Sequence, residues 1–195
     1  RVQAVPVADF TVNTSNQCFD GHSYDFVLTG PLHGASNITW DFGDGNTSTD
    51  SANVGVRYLS SGNYTIKAKV SNGLCSDSSS QAIQLYDNPV VAFDGDSVCL
   101  TELVQFTNSS TINSGSIINY LWDFGDGSTS TLVAPNHTYA NVGLYTVSLQ
   151  ATSNNGCLHA DTAQAVRIFP EPTAIASANL AALTESGQQV QYVST

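Results

Sequence analysis

The chain has 195 residues, of which 41% are hydrophobic and only 11% charged, so the composition indicates a folded protein rather than a disordered one. Sixteen acidic residues against five basic ones give a net charge of −11, which disfavours binding to nucleic-acid phosphates and to anionic membrane surfaces. No apolar run reaches the roughly 18 residues that a membrane span requires. We therefore expect neither a nucleic-acid partner nor membrane insertion.

The hexapeptide WDFGDG occurs twice, at residues 40–45 and 122–127, which are 82 positions apart. Other residues recur with nearly the same spacing, and repetition of this kind indicates that one structural unit is duplicated. The four cysteines of the chain follow the repeat, one pair in each copy: Cys18 matches Cys99, and Cys75 matches Cys157.

Two homologous domains follow from this repeat, at residues 1–88 and 89–171. We expect residues 172–195 to form a linker and the truncated start of a third copy, because residues 190–195 resemble residues 104–109. Methionine is absent, even at position 1, so we expect the chain to be a segment of a longer protein or a mature form after processing.

Apolar residues alternate with polar ones along short segments of each copy, as in Ile38, Trp40 and Phe42. A period of two, with Gly, Asn and Asp between the segments, predicts antiparallel strands joined by turns. About 80 residues of this pattern predict a β-sandwich. The same alternation is seen in the segments that begin at Tyr64, Ile118 and Tyr145.

The repeated hexapeptide is interpreted as a strand that enters a tight turn. Trp40 and Phe42 share one face and are predicted to be buried, Asp41 points away, and Asp44 lies between two glycines that permit a positive φ. A pair of catalytic carboxylates or a cation site would be the functional alternatives, but a small sandwich offers no evident cleft for catalysis. The complete motif comprises Trp40, Asp41, Phe42, Gly43, Asp44 and Gly45 in the first copy, and Trp122, Asp123, Phe124, Gly125, Asp126 and Gly127 in the second.

This motif, followed by G-x-Y-T segments at 62–65 and 143–146, resembles the PKD domain, an immunoglobulin-like module. The resemblance implies tandem antiparallel sandwiches in which Tyr64 and Tyr145 are corner tyrosines. The segment 135–139 is similar to the P-x-H-x-Y sequence of the family, whereas the first copy departs from it. The fold class is thus all-β, with tandem Ig-like (PKD) domains.

Recurrence of the cysteines at equivalent positions predicts disulfides, and hence an oxidising exterior. Repetition favours Cys18–Cys75 and Cys99–Cys157 within the domains. Ig-like topology favours Cys18–Cys157 between the domains, because the first loop and the last hairpin lie at opposite ends of such a sandwich. The sequence leaves both pairings open.

Oxygen-bearing side chains cluster near the expected domain boundary, at Asp87, Asn88, Asp94 and Asp96. These residues are the candidate calcium ligands, and solvated turn acids are the plainer interpretation. No other metal or cofactor is expected.

The four histidines have no matched nucleophile in the repeat, so we expect no enzymatic activity. The resemblance to PKD domains implies a stalk or adhesion module of a larger secreted or cell-surface protein, similar to the gliding-motility and multidomain proteins that Bacteroidota export by the type 9 secretion system. The alternative is an accessory module of a secreted polysaccharide- or protein-degrading enzyme that assists substrate binding. The expected partners are other domains of the same chain and a surface polysaccharide or protein ligand.

Overall fold

The computed structural model describes residues 4–35, 37–49 and 52–173, without the side chains of residues 160–162. The expected start of a third repeat at 172–195 therefore lies almost entirely outside the described residues. Regular structure in the described part of the chain consists of strands alone, which confirms the all-β prediction.

The first half contains eight strands, and six of them have five residues or fewer because Gly, Asn and Ser frequently interrupt the apolar segments. They are β1 (Phe10–Val12), β2 (Asn16–Cys18), β3 (Tyr24–Leu28), β4 (Asn37–Asp41), β5 (Thr47–Thr49), β6 (Asn53–Val56), β7 (Gly62–Ser71) and β8 (Ser76–Tyr86). The second half also contributes eight strands to the described residues. They are β9 (Phe93–Gly95), β10 (Val98–Cys99), β11 (Val104–Asn108), β12 (Ile117–Asp123), β13 (Thr129–Ser130), β14 (Asn136–His137), β15 (Gly143–Ser153) and β16 (Leu158–Phe169).

The strands of each half form one three-stranded and one five-stranded sheet. The first half has the orders β1-β3-β6 and β2-β8-β7-β4-β5. The second half has β14-β11-β9 and β10-β16-β15-β12-β13, so the topology is repeated strand for strand. These paired sheets are the tandem Ig-like sandwiches that the sequence predicted.

Each sandwich encloses its own core of alternating inward residues. In the first, Trp40 is 1% exposed and meets Phe10 edge-to-face, with ring centroids 5.2 Å apart. In the second, Trp122 is 0% exposed and meets Phe93 in the same way at 5.0 Å. The first cluster of buried residues lies within 24–85 and the second within 91–168, so neither core borrows residues from the other half.

A parallel strand pair fixes the position of one cysteine in each domain. Short β2 runs parallel to β8, and Cys18 lies beside Tyr86 at the end of β8. Short β10 runs parallel to β16, and Cys99 lies beside Phe169 at the end of β16. These two cysteines therefore occupy the same place at the same end of their domains.

Candidate functional site

A disulfide bond joins the two domains where they meet. Cys18 at the end of β2 is bonded to Cys157 in the hairpin before β16, with Cα atoms 5.4 Å apart and 139 residues between them in sequence. Cys157 is completely buried at this position. Of the two pairings that the sequence left open, the structure contains the interdomain one, and Cys75 and Cys99 are free.

Strand length explains why the cysteines of one domain do not pair. Cys75 immediately precedes β8, whereas Cys18 lies beside Tyr86, the last of the 11 residues of that strand. At about 3.3 Å per residue the two positions are roughly 35 Å apart. A disulfide spans less than about 7 Å between Cα atoms, so an intradomain bond would require the sandwich to unfold.

The connection between the domains is held by the side chain of Asn88. Its Oδ1 accepts a hydrogen bond from the backbone N–H of Asp20 at 2.9 Å, and its Nδ2 donates to the carbonyl oxygen of Leu158, also at 2.9 Å. One amide thus contacts a loop of the first domain and the first residue of β16 in the second. Together with the disulfide, this bridge restricts the angle between the domains.

Beside this bridge lies an open cleft of about 410 Å³ between the two domains. Its walls include Asp20, Ser61, Asp87, Asn113 and His159. The carboxylate of Asp87 accepts a hydrogen bond from the Ser61 hydroxyl, and Nδ1 of His159 accepts one from the backbone N–H of Val91 at 3.3 Å. Two of the polar side chains in the cleft, Asp87 and His159, are therefore already hydrogen-bonded within their own domains.

The four candidate calcium ligands do not converge on one point. Asp87 and Asn88 lie at the junction, whereas Oδ1 of Asp94 accepts a hydrogen bond at 2.8 Å from Nε2 of Gln164. Gln164 lies six residues along β16 from Leu158, or about 20 Å into the second domain. Among the described residues, no group of three or more His, Cys, Asp or Glu side chains is arranged to hold a metal ion.

The first WDFGDG hexapeptide is a tight turn in which both acids bind backbone N–H groups. Asp41 Oδ1 accepts from Gly43 N at 2.9 Å, and Asp44 Oδ1 accepts from Asn46 N at 3.0 Å. Gly43 has a φ of 77°, and a Cβ there would lie 2.8 Å from the carbonyl oxygen of Thr65. Only glycine satisfies both conditions at position 43. The two carboxylates hold the turn through their hydrogen bonds to backbone N–H groups.

The second hexapeptide repeats this geometry, with Asp123 bound to Gly125 N and Asp126 bound to Ser128 N. It adds one contact, because Nε2 of His137 lies 2.8 Å from Oδ2 of Asp126. Burial by itself would raise the pKa of Asp126, but the hydrogen bonds from His137 and Ser128 outweigh it and hold the pKa below its usual value. The first domain has Val56 on the strand that corresponds to β14, so this histidine–aspartate contact is confined to the second copy.

The corner tyrosines bond to backbone four residues upstream. Tyr64 Oη donates to Ser60 O at 2.7 Å, and Tyr145 Oη donates to Asn141 O at 2.9 Å. This is the contact that defines a tyrosine corner in Ig-like sandwiches. It ties the loop before β7 or β15 to the strand that follows.

A second pair of tyrosines was not singled out from the sequence. Tyr58 Oη donates to Phe42 O, and Tyr139 Oη donates to Phe124 O, each at 3.0 Å. Burial raises the pKa of both hydroxyls above the ordinary tyrosine value, so they remain protonated donors. Their recurrence at matching positions of the repeat was the available signal.

His22 also has a structural role that no sequence pattern predicted. It is 7% exposed, its Nδ1 is bonded to Phe19 O, and its Nε2 accepts from Tyr58 N at 2.8 Å. This geometry requires the neutral ring with its proton on Nδ1. The imidazole therefore serves as a buried bridge between two loops.

The part of the chain that the structure describes includes no helix that could cross a membrane. Its exposed large hydrophobic side chains are almost all aliphatic, and Phe169 is the one aromatic among them. The described surface thus lacks a row of exposed aromatic rings of the kind that stacks on sugar polymers.

Comparison with known proteins places both halves in one family. Models of the PKD domain match residues 9–85 and 86–168. The pre-pro-metalloprotease PrtV of Vibrio cholerae is 42% identical over 78 residues, which are 39% of this chain and 8% of that protein. A microbial collagenase of Vibrio alginolyticus is 48% identical over 56 residues, which are 28% of this chain and 7% of the collagenase. Collagenase ColA of Bacillus cereus is 43% identical over 58 residues, 29% of this chain and 6% of the enzyme.

The chain therefore spans less than a tenth of the length of these relatives. Among solved structures, the PKD1 domain of Vibrio cholerae PrtV is 35% identical with a TM-score of 0.39, covering 42% of this chain and 98% of that domain. The PKD1 domain of Vibrio anguillarum Epp is 32% identical with a TM-score of 0.40, covering 43% of this chain and 96% of that domain. The two family matches together run from residue 9 to residue 168, so the chain belongs to the PKD domain family, and these residues form two tandem, non-catalytic copies of it.

Proposed function

We propose that this chain is an accessory, non-catalytic pair of PKD domains in a larger extracellular enzyme of the protein-degrading class. The observation that carries the proposal is the identity of 42–48% with segments of a metalloprotease and of collagenases. The cysteine pair in each repeat agrees with a secreted protein, since disulfides favour an oxidising exterior. The activity itself would belong to another part of such an enzyme.

Two features of the structure suit a module that positions a neighbouring domain. Each sandwich has its own closed core, and the junction is held by both the Cys18–Cys157 disulfide and the Asn88 bridge. Restricting the angle between domains raises the effective concentration of whatever the pair connects. A stiff pair would therefore keep a catalytic domain near a surface that the PKD domains contact.

The contact surface that we assign is the outer face of the five-stranded sheet in the first domain. On this face Thr39 lies between Lys69 and Thr49, and the exposed residues Lys67 and Lys69 pair with Ser80 and Ser78. We call this surface the lysine face. It offers hydroxyl donors and two of the five basic residues in a chain of net charge −11, and such groups suit a polymer that exposes carbonyl and carboxylate oxygens.

Cosedimentation of the 195-residue chain with insoluble fibrillar collagen tests the proposal, with chitin and cellulose as parallel polymers. We expect saturable binding to collagen and none to the two polysaccharides. Lys67 and Lys69 correspond to Ser148 and Gln150 of the second domain, because Ala68 and Leu149 pair with the equivalent tryptophans. The matched variant K67S/K69Q, which copies those residues, should weaken binding at least several-fold.

Absence of collagen binding by the folded chain would contradict the accessory role in protein degradation. It would favour the second candidate, a stalk segment of a multi-repeat cell-surface protein with a role in adhesion, of the kind exported by type 9 secretion. The interdomain disulfide is the observation that favours this second candidate, because it stiffens a tandem array.

A further inference from the structure

The two free cysteines occupy positions in the repeat that are equivalent to those of the two bonded cysteines. Cys99 lies beside Phe169 in the β10–β16 pair, as Cys18 lies beside Tyr86 in the β2–β8 pair. Cys75 lies in the hairpin between β7 and β8, as Cys157 lies in the hairpin between β15 and β16. Each domain thus carries one cysteine at either end, and only the two that face the junction are joined.

The far end of the second domain repeats contacts that the first domain makes at the junction. There Leu100 N donates to Phe169 O at 2.8 Å, as Phe19 N donates to Tyr86 O at 2.9 Å. Thr101 Oγ1 donates to Oε1 of Glu171 at 2.8 Å, in the segment that corresponds to the Asp20–Asn88 bond. The backbone that presents Cys18 to its partner is therefore built again around Cys99.

The end of the first domain that lies away from the junction likewise repeats the end of the second domain that meets the junction. Val91 N donates to the side chain of His159, two residues after Cys157. Ala8 N donates to the side chain of Asp77 at 2.9 Å, two residues after Cys75. In both domains the segment that precedes the first strand is thus hydrogen-bonded to the strand that follows the cysteine.

From this equivalence we propose that Cys75 and Cys99 are sites of two further interdomain disulfides. Cys99 bonds to the hairpin cysteine of a PKD domain of this same repeat type that docks on the end of the second domain. Cys75 bonds to the first-loop cysteine of such a domain docked before the first. The proposal stands apart from the proposed enzyme association, because it depends only on the repeated geometry of the two ends.

The two free cysteines cannot form a disulfide with each other within one chain. Cys75 is separated from the junction by the 11 residues of β8, and Cys99 by the 12 residues of β16. At about 3.3 Å per residue, each is more than 30 Å from the junction on its own side. Their partners must therefore come from other domains.

A second copy of this chain carries both complementary ends, so it is the probe. Cys99 of one copy should bond to Cys75 of another, as Cys18 bonds to Cys157. Each thiol loses one proton and one electron as the S–S bond forms, and oxidised glutathione accepts both electrons and both protons to give two molecules of glutathione. The contact is head-to-tail and can continue from copy to copy.

The test mixes two single variants, C75S and C99S, in equal amounts in a glutathione redox buffer. Each variant retains the Cys18–Cys157 bond and one free thiol. We expect heterodimers linked Cys99 to Cys75 to exceed the combined homodimers at least threefold on non-reducing gels, with the linkage identified by peptide mass spectrometry. The wild-type chain should give a ladder of longer species.

A random yield, in which heterodimers merely equal the combined homodimers, would overturn the proposal, as would the absence of dimers. The double variant C75S/C99S is the matched control, and it should remain monomeric. Failure of collagen binding would not affect these outcomes, so the two proposals are tested independently.

Discussion

Cys18 of the first domain is bonded to Cys157 of the second, although 139 residues separate them in the chain. The bond joins the end of the short strand β2 to the hairpin that precedes β16. Each residue lies at the end of its domain that faces the other, which is why two independently closed sandwiches are joined there.

Removing this bond should free the orientation of the domains without unfolding them. In C18S/C157S we expect a broader range of interdomain distances in small-angle X-ray scattering, because the remaining link is a short connection and the Asn88 bridge. The thermal transitions of the domains should change little, since each has its own core. The control C75S/C99S retains the disulfide and should scatter like the wild type at dilute concentration. Indistinguishable curves for both variants would contradict the role assigned to the bond.

Truncation of a core tryptophan should strongly lower the stability of its domain. Trp122 is 0% exposed and its Nε1 donates to Leu132 O at 2.9 Å. The variant W122A should lower the free energy of unfolding of the second domain by roughly 3–5 kcal/mol, measured by urea denaturation. L144A, at a position that is 70% exposed, is the comparison and should change it by less than about 0.5 kcal/mol. A loss in W122A no larger than that in L144A would mean that the indole is not part of a packed core.

Two glycines of one turn should differ in their tolerance of alanine. Gly125 and Gly127 have φ values of 77° and 92°, but a Cβ on Gly125 would lie 2.5 Å from Thr146 O, whereas Gly127 faces open space. G127A should lower the free energy of unfolding by about 1–2 kcal/mol, because alanine must adopt the left-handed conformation there. G125A should lower the free energy of unfolding clearly more than G127A does, because the backbone of β15 must also move. Equal losses in denaturation experiments would count against the close approach of the two backbones.

The second domain should lose stability in acid through Asp126. Hydrogen bonds from His137 and Ser128 overcome the effect of burial and lower the pKa of this carboxyl. A lowered pKa in the folded state stabilises the domain above the unfolded value of about 3.9, and this contribution disappears as the pH falls through the folded value. The variant D126N should therefore flatten the dependence of unfolding free energy on pH between about 5 and 2.

A double-mutant cycle identifies the partner of Asp126. H137V places at position 137 the residue type that the first domain has at Val56. If the contact at 2.8 Å between His137 and Asp126 is the source of the effect, the losses in D126N and H137V should be less than additive in D126N/H137V. Full additivity would show that the two side chains act separately.

Local patterns in the sequence predicted the all-β sandwich and the repeat. Alternation around Trp40 and Trp122 follows from the strand geometry itself, since neighbouring side chains point to opposite faces. The glycines of the hexapeptide predicted a turn because few other residues adopt a positive φ. These are properties of short segments, so the order of residues determined them.

Local patterns did not determine the cysteine pairing, and only the tertiary structure decided it. Repetition in the sequence favoured bonds within each copy, but parallel pairing of β2 with β8 places Cys18 a full strand length from Cys75. The bridging roles of Asn88 and His22 also depend on loops that are distant in sequence. A bond between distant residues depends on where the whole fold places their atoms, which no local periodicity encodes.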